Sequence, residues 1–262
     1  MDNERVMAIV GAGHVGGRAA QTLREAGWRG GIALIGAEPH LPYERPPLSK
    51  DLLKGERAAH QCQLRTPEAW REDDVDHVIA TVQSFDPAAR TLKLSDGRTI
   101  AYESLLLATG GHARHLPIPG ARGAGVHCLR TLDDADAIGR RLAPESRIVI
   151  VGGGFIGLEV AASARARACT VTVIEGGPRL LGRAVPAAIA VRAHELHERN
   201  GVQVLLNTMP QAFERRADGS LAVTLDTGDV LVADTVVVGI GIEPADELAR
   251  GRPRCRARDH RR

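Results

Sequence analysis

The chain has 262 residues, of which 44% are hydrophobic and 25% charged, as is typical of a soluble globular protein. Aromatic residues make up only 3%, which argues against a nucleic-acid binder that stacks bases on aromatic rings. Residues 250–262 hold seven arginines and one aspartate, so the net charge of +2 comes from this tail and the remainder is net acidic. No apolar run is long enough to span a membrane. The acidic start lacks the basic region of a secretion signal, and we expect a cytoplasmic protein.

The first predicted elements are a strand, a glycine turn and a helix. Residues 6–10 are apolar, and residues 11–16 follow with the sequence GAGHVG. Small or apolar residues then recur at helical spacing up to Gly27, a typical helix stop. The apolar residues 32–35 predict the next buried strand. Further along, Asp96-Gly97 predicts a hairpin that leads into the apolar strand 105–107.

The same order of elements occurs a second time. The apolar run 147–151 precedes GGGFIG at 152–157, and the β-branched run 170–174 predicts another strand. Thr227-Gly228 predicts a second hairpin before the apolar run 236–238. A strand, a helix and a strand within about 30 residues form a βαβ unit, which requires a parallel sheet. We therefore predict an α/β fold with two Rossmann-like dinucleotide-binding modules, each a central parallel sheet with helices and a β-meander.

The glycine turns predict diphosphate binding. In such a turn the first glycine allows the sharp bend, the second lets the phosphates approach, and the third lets the helix pack on the strand. A single GxGxxG pattern is weak, because glycine turns also occur for structural reasons alone. Two copies, each after a strand and before a helix, favour dinucleotide binding.

An acidic residue at the end of the second strand of each module is expected to bind an adenosine ribose. Glu175 follows the predicted strand 170–174 directly. A carboxylate at this position accepts hydrogen bonds from the ribose and repels a 2′-phosphate, which favours NADH over NADPH. Arg179 lies nearby and weakens that preference slightly. In the first module the candidate is Glu38, which is equally compatible with a solvated loop carboxylate.

One segment is more specific than the glycine turns. Residues 38–50 have the sequence EPHLPYERPPLSK, in which the prolines hold the chain extended. This segment resembles the NADH-dependent ferredoxin reductases of Rieske dioxygenase and cytochrome monooxygenase systems. The stretches 107–111, 130–135, 152–159 and 239–244 agree with the same family. The resemblance extends over residues 5–249.

The resemblance implies a reductase that passes electrons from NADH through FAD to a 2Fe-2S ferredoxin. It assigns to the FAD site Gly11, Gly13, Val15, Gly16, Glu38, Arg45, Lys50, Val82, Thr109, Gly110 and Arg130. It assigns to the NADH site Gly152, Gly154, Gly157, Glu159 and Glu175. The family usually has an acid at the position of Ala37, so its ribose role passes to Glu38 or is vacant.

Two of these residues are the candidate catalytic groups. Glu159 follows Gly157 by two positions, at the start of the helix that receives NADH. By the resemblance it pairs with Lys50 beside the flavin, where the lysine stabilises negative charge and the glutamate holds the lysine and orients the carboxamide. The alternative is that Glu159 interacts only with the helix dipole and that Lys50 is an exposed loop cation.

The spacing of the cysteines indicates which kind of group accepts electrons from the flavin. Cys62, Cys128, Cys169 and Cys255 are far apart and form no CxxC pair. Disulfide reductases of the related fold need such a pair near the flavin, so we expect single-electron transfer to an external iron–sulfur protein. The ten histidines show no zinc-binding spacing, and we expect no metal site.

The predicted domains are an FAD module over residues 1–112, an NAD(H) module over 113–243 and an arginine-rich tail over 244–262. The family continues beyond Ala249 with a Gly-Asp motif and a further domain, whereas this chain continues with arginines. We therefore expect an incomplete FAD module, a frame-shifted tail that is disordered after Ala249, and weak FAD binding. The alternatives are a remnant that binds NADH but no flavin, a rubredoxin reductase, an NADH oxidase, and a nucleic-acid binder that uses the tail.

Overall fold

The computed structural model describes residues 5–182 and 184–250, and backbone contacts divide them into two compact units. Unit 1 consists of residues 5–42, 65–111 and 244–250, and unit 2 consists of the described residues of 43–64 and 112–243.

The strands are short, as expected for an α/β fold. The first nine are β1 (Val6–Val10), β2 (Gly31–Gly36), β3 (Val75–Ile79), β4 (Val82–Asp86), β5 (Thr91–Leu94), β6 (Thr99–Ala101), β7 (Ser104–Leu107), β8 (Gly111–Ala113) and β9 (Val126–Cys128). The later ones are β10 (Arg147–Val151), β11 (Thr170–Glu175), β12 (Val202–Leu206), β13 (Pro210–Arg215), β14 (Leu221–Leu225), β15 (Val230–Ala233), β16 (Thr235–Val238) and β17 (Ile242–Pro244).

The helices lie mostly between parallel strands. They are α1 (His14–Glu25), α2 (Asp51–Lys54), α3 (Pro67–Glu72), α4 (Leu132–Gly139), α5 (Phe155–Ala166) and α6 (Ala187–Arg199). Two 3-10 turns, Pro46–Ser49 and Ala59–Cys62, flank α2. No helix in the described ranges is both long enough and apolar enough to cross a membrane.

Unit 1 is built on a four-stranded parallel sheet with the strand order β3-β2-β1-β7. Helix α1 packs on β1 and β2. The strands β4, β5 and β6 form an antiparallel meander. Leu92 and Leu94 of the meander are buried with Val10 and Ile35 of the sheet, so the sheet and the meander share one core.

Unit 2 repeats this plan with a five-stranded parallel sheet of order β12-β11-β10-β16-β9. Ile148 and Ile150 of β10 pack in one core with α5, whereas Val149 and Val151 pack on the other face with the meander β13-β14-β15. Both faces of β10 are therefore covered, which is why its sequence after Arg147 is apolar without alternation. Two sheets of this kind confirm the predicted fold class.

The division into units differs from the predicted domains in one internal segment. Residues 43–64 belong to unit 2, although they follow the first βαβ unit in the chain. Leu53 is buried in the core that contains α5, and Tyr43, Leu48 and Cys62 are buried against α4. These apolar side chains explain why the segment leaves unit 1, and the loop residues Arg45 and Lys50 are consequently part of unit 2.

The predicted tail also begins too early. Residues 244–250 are described and belong to unit 1, where Leu248 packs on the core and the backbone N–H of Ala245 donates to the carbonyl of Gly110 (3.0 Å). Asp246 and Arg250 form an ion pair at 2.8 Å. The expectation of disorder over residues 251–262 lies outside the described residues.

An ion pair between Arg147, the first residue of β10, and Asp234, which directly precedes β16, allows a prediction about acid stability. The Asp234 carboxylate accepts hydrogen bonds from the backbone N–H (2.7 Å) and the guanidinium (2.6 and 3.1 Å) of Arg147. The hydrogen bond from the Arg147 side chain holds the pKa of Asp234 below its usual value. Both side chains are partly exposed, so we expect Asp234→Asn to lower the free energy of unfolding at pH 7 by only about 1 kcal/mol.

The pH dependence follows from the direction of that shift. Because the pKa of Asp234 is lower in the folded state, its stabilisation is present above the unfolded pKa of about 4 and is lost as the pH falls through the folded pKa. The difference between wild type and Asp234→Asn should therefore shrink below about pH 4 in urea unfolding. The control is Asp229→Asn in the neighbouring hairpin. The Asp229 carboxylate accepts a hydrogen bond from the Thr227 hydroxyl. A difference that stays constant down to pH 3 would contradict this prediction.

Candidate functional site

The first glycine turn joins β1 to α1 in unit 1. Gly11 has a φ of +116°, and a Cβ there would lie 2.2 Å from the carbonyl oxygen of Ala108. A Cβ at Gly16 would lie 1.9 Å from the carbonyl oxygen of Gly11. Gly13 is the N-cap of α1. Side chains at the first and third positions would therefore collide with backbone, which matches the roles expected for these two glycines.

The second turn, between β10 and α5 in unit 2, has the same geometry. Gly152 has a φ of +110°, and its Cβ would lie 2.5 Å from the carbonyl oxygen of Gly239. A Cβ at Gly157 would lie 2.0 Å from the carbonyl oxygen of Gly152. Gly154 is different, since a Cβ there would meet no heavy atom within 4 Å. The backbone at Gly154 consequently borders open space at the start of the helix.

The starts of α1 and α5 are both suited to an anion. The N-cap glycines provide no side-chain cap, and neither helix has an acidic residue in its first turn. The first N–H groups of a helix have no partner within the helix, and its N-terminus carries a partial positive charge. The space before Gly154 and the two uncapped starts therefore fit the diphosphate of a dinucleotide.

Glu175 lies at the carboxyl end of β11, where the sequence placed it. Its Oε2 accepts from the backbone N–H of Gly153 (2.7 Å) and its Oε1 accepts from that of Gly177 (2.8 Å). These bonds fix the carboxylate beside the second glycine turn, and each oxygen retains a lone pair for a further donor. The nearby Arg179 donates to the carbonyl of Gly182 (2.7 Å).

Three other predicted residues lie in unit 1. Glu38 is half-buried and follows β2 by two positions. Val82 is the buried first residue of β4. Val15 is 65% exposed, whereas Gly16, Gly17 and Ala20 of the same helix are buried. The small residues lie on the sheet because they let α1 approach it closely.

Thr109 and Gly110 follow β7, on the opposite side of β1 from β2. The Thr109 hydroxyl donates to the carbonyl of Ala245 at 2.5 Å, and Gly110 has a φ of +69°. These residues connect the end of the parallel sheet with the last described segment of unit 1. Their predicted part in an FAD site stays a prediction.

The structure brings Lys50 and Glu159 together within unit 2. The Nζ of Lys50 lies 2.9 Å from Oε1 of Glu159. Glu159 is in the first half of α5, and Lys50 directly follows the 3-10 turn Pro46–Ser49. The hydroxyl of Ser49 donates to the other carboxylate oxygen of Glu159, at 2.5 Å. The carboxylate therefore has one partner on each oxygen.

Arg45 and Arg130 are also neighbours in unit 2. The guanidinium of Arg45 donates to the carbonyl of Arg130 and lies over the ring of Tyr43, 5.4 Å from its centre. Arg130 borders a cavity of about 490 Å³ next to β9. Lining residues of this cavity that the sequence did not single out as site residues include His112, His115, Arg122, His127 and Cys128.

The cysteines of the described region are free thiols. They are Cys62, Cys128 and Cys169, and burial raises the pKa of each one. A thiol with a raised pKa is a poor nucleophile, because the thiolate is the reactive form. These three cysteines therefore lack the properties of a redox-active pair; Cys255 lies outside the described residues. Within the described ranges, no group of three or more His, Cys, Asp or Glu residues could hold a metal ion.

Comparison with known proteins identifies the family. The profile of the pyridine nucleotide-disulphide oxidoreductases matches residues 5–259. The chain belongs to this family. Two dinucleotide-type modules in series, each with a glycine turn and a meander, agree with that membership.

Three individual similarities are more specific than the family profile. The chain is 42% identical, over 92% of its length and 60% of the relative, to the ferredoxin–NAD(+) reductase component of the anthranilate 1,2-dioxygenase system of Burkholderia cepacia. The ferredoxin reductase for the CYP199A2 system from Rhodopseudomonas palustris matches with 37% identity and a TM-score of 0.89, over 93% of this chain and 60% of that one. Putidaredoxin reductase in its covalent complex with putidaredoxin matches with 37% identity and a TM-score of 0.88, over 95% and 61%.

These similarities confirm the resemblance that the segment 38–50 indicated. The chain spans about 60% of the length of the curated relatives it matches. Sequence reasoning missed Ser49, whose hydroxyl donates to Glu159, and Ser163, whose hydroxyl donates to the carbonyl of Ser49. The signal was present, since Ser49 precedes Lys50 directly and Ser163 follows Glu159 by one helical turn.

Proposed function

We propose that the chain carries the FAD and NAD(H) modules of a ferredoxin–NAD(+) reductase. The observation that supports this proposal most directly is the Lys50–Glu159 ion pair at the start of α5, directly behind the second glycine turn. The similarity to three ferredoxin reductase systems supports electron transfer between NADH and an iron–sulfur protein, and we propose that the electrons pass from NADH to the iron–sulfur protein.

FAD is assigned to the glycine turn of unit 1. Gly11, Gly13 and Gly16 would hold its diphosphate at the start of α1, and Glu38 is the candidate for its ribose. The resemblance adds contacts from Val82, Thr109 and Gly110, and from Arg45, Lys50 and Arg130. When bound, FAD supplies hydride acceptance and release of single electrons.

NADH is assigned to the glycine turn of unit 2. The open space at Gly154 and the uncapped start of α5 support a diphosphate there, with Gly152 and Gly157 shaping the turn. Glu175, fixed by two backbone N–H groups, would accept from the ribose hydroxyls and repel a 2′-phosphate. We therefore expect a preference for NADH over NADPH.

Lys50 and Glu159 are proposed to act as electrostatic groups. The ammonium of Lys50 would stabilise negative charge that develops on the flavin, while the carboxylate of Glu159 holds the ammonium and orients the nicotinamide carboxamide. Neither residue needs to transfer a proton in this scheme.

The proposed electron acceptor is a 2Fe-2S ferredoxin, which takes up one electron at a time. Cys62 and Cys169 are buried, Cys128 is half-buried, and all three are free thiols, so they do not offer an internal disulfide as the acceptor. The relative crystallised as a putidaredoxin reductase–putidaredoxin complex supports a small iron–sulfur partner. Free thiols are also compatible with a reducing compartment, and we propose the cytoplasm.

The visible spectrum of the purified full chain, after incubation with FAD, tests the proposal. We expect flavin absorption bands that bleach on anaerobic addition of NADH, with NADPH at least about tenfold less effective. Addition of two oxidised 2Fe-2S ferredoxins per reduced flavin, each of which takes up one electron, should then restore the oxidised bands.

Each component of the assay excludes a different alternative. Absence of flavin bands together with NADH binding would support a module that binds only the nicotinamide nucleotide. Reoxidation by oxygen, but not by ferredoxin, would favour an NADH oxidase. Either outcome would overturn the proposed function.

A further inference from the structure

We propose that Ser49 is a positioning residue that fixes the carboxylate of Glu159, and that Ser163 in turn fixes Ser49. This inference rests on the proposed function, because the orientation of Glu159 matters only if Glu159 faces a nicotinamide. The contacts on which it depends all lie within unit 2.

The contacts form a short chain of hydrogen bonds. The Ser49 hydroxyl donates to Oε2 of Glu159 at 2.5 Å. The carbonyl oxygen of Ser49 accepts from the hydroxyl of Ser163 at 2.7 Å. Glu159 and Ser163 are four residues apart on α5, so they lie on the same face of the helix. Helix α5 therefore holds Ser49 by its side chain and by its backbone.

Burial separates the role of Ser49 from that of Lys50. Ser49 and Ser163 are each 1% exposed, whereas the side chain of Lys50 is 45% exposed. An ion pair with an exposed lysine is weak and its long side chain is mobile. A hydrogen bond from a buried hydroxyl to a carboxylate is stronger and has a narrow choice of geometry. Ser49, rather than Lys50, is therefore the group that sets the orientation of Glu159.

This arrangement has a chemical advantage. Lys50 also has the carbonyl of Pro46 within 3.4 Å and can exchange partners as charge develops nearby. Glu159 keeps its orientation during such an exchange because the Ser49 hydroxyl remains bound to it. The Ser49 hydroxyl thus allows the Lys50 ammonium to change partners while the Glu159 carboxylate keeps its orientation.

The first test measures orientation and needs no cofactor. In protein labelled with ¹³C at glutamate, the side-chain signals of Glu159 are assigned by their loss in Glu159→Gln. We expect one side-chain rotamer in the wild type and in Lys50→Ala, and rotamer averaging in Ser49→Ala. Ser163→Ala should give partial averaging, because it releases only the backbone of Ser49.

Two control variants distinguish loss of the Ser49–Glu159 hydrogen bond from a general loss of structure. Ser49→Thr retains the hydroxyl and should keep the single rotamer. Ser220→Ala removes another buried serine whose hydroxyl donates to a carboxylate, that of Asp218 at 2.6 Å, and should leave Glu159 unchanged. A single rotamer in Ser49→Ala, or averaging in Lys50→Ala, would overturn the inference.

The second test uses the flavin-loaded protein and separates binding from reaction. In anaerobic stopped-flow experiments we expect Ser49→Ala to lower the limiting rate of flavin reduction about tenfold, with the Kd for NADH changed less than about twofold. Ser220→Ala should change neither quantity. If the chain takes up no flavin, the proposed function fails while the rotamer measurement still decides the role of Ser49. A limiting rate unchanged in Ser49→Ala would contradict the inference.

Discussion

Glu159→Gln is expected to slow the reduction of bound flavin by NADH about 10²-fold. The substitution keeps the size of the side chain but removes the charge that lies 2.9 Å from the Lys50 ammonium. Lys50 then loses its anionic partner, and in the proposed site the carboxamide of the nicotinamide would lose an acceptor of fixed orientation. The rate is measured by anaerobic stopped flow at saturating NADH, so that weaker binding does not enter the comparison.

A matched control for Glu159→Gln is available on another helix of the same unit. Glu195 on α6 is paired with Arg192 at 2.9 Å and lies outside the proposed site. Glu195→Gln removes the same charge from an exposed ion pair and should leave the reduction rate unchanged. A wild-type rate in Glu159→Gln would reject the electrostatic role of the pair, whereas the two dinucleotide assignments would remain.

Gly154→Ala is expected to weaken NADH binding while leaving the fold intact. Its φ of −82° and ψ of −179° suit alanine, and the new Cβ meets no protein atom within 4 Å. The reduced entropy of the unfolded chain and the poorer N-cap act in opposite directions, so the free energy of unfolding should change by less than about 0.5 kcal/mol. The methyl group would occupy the space through which the diphosphate approaches, and we expect the Kd for NADH to rise about 30-fold.

Gly157→Ala is the informative comparison. Its Cβ would lie 2.0 Å from the carbonyl oxygen of Gly152, so α5 would have to move away from the strand. We expect a loss of about 3 kcal/mol or more in the free energy of unfolding. NADH titration by fluorescence and urea unfolding, applied to both variants, separate the two effects. Wild-type affinity in a folded Gly154→Ala protein would place the diphosphate elsewhere.

Features that depend on the backbone were predictable from the sequence. The two glycine turns follow apolar strands, and the steric demands at Gly11 and Gly152 are met only by glycine, so the pattern indicated the geometry directly. Glu175 was predictable because the end of the second strand in a βαβ unit lies beside the glycine turn. The Lys50–Glu159 contact was predicted from the family resemblance, since no local pattern connects residues so far apart.

Features that depend on tertiary packing were not predictable in the same way. The segment 43–64 looked like a continuation of the first module, but Leu53 and Leu48 are buried in unit 2. On α1 the apolar Val15 is 65% exposed while Gly16 and Ala20 are buried, because close packing of the helix on the sheet favours small residues there. Neither the placement of segment 43–64 nor the buried face of α1 can be predicted from a single sequence, because each depends on which surfaces pack together in the folded protein.

The assignment of residues 43–64 to unit 2 and of 244–250 to unit 1 affects how the protein acquires its structure during synthesis. A ribosome that has released only the first hundred residues has exposed most of one unit and a fragment of the other. The side chain of Leu53 then stays exposed to solvent until Ile138 and α5, against which it is buried in the folded protein, have been synthesised. Neither unit can complete its fold in the order in which its residues are synthesised. We therefore expect this chain to depend more on chaperones than a protein whose domains follow one another along the chain without interruption.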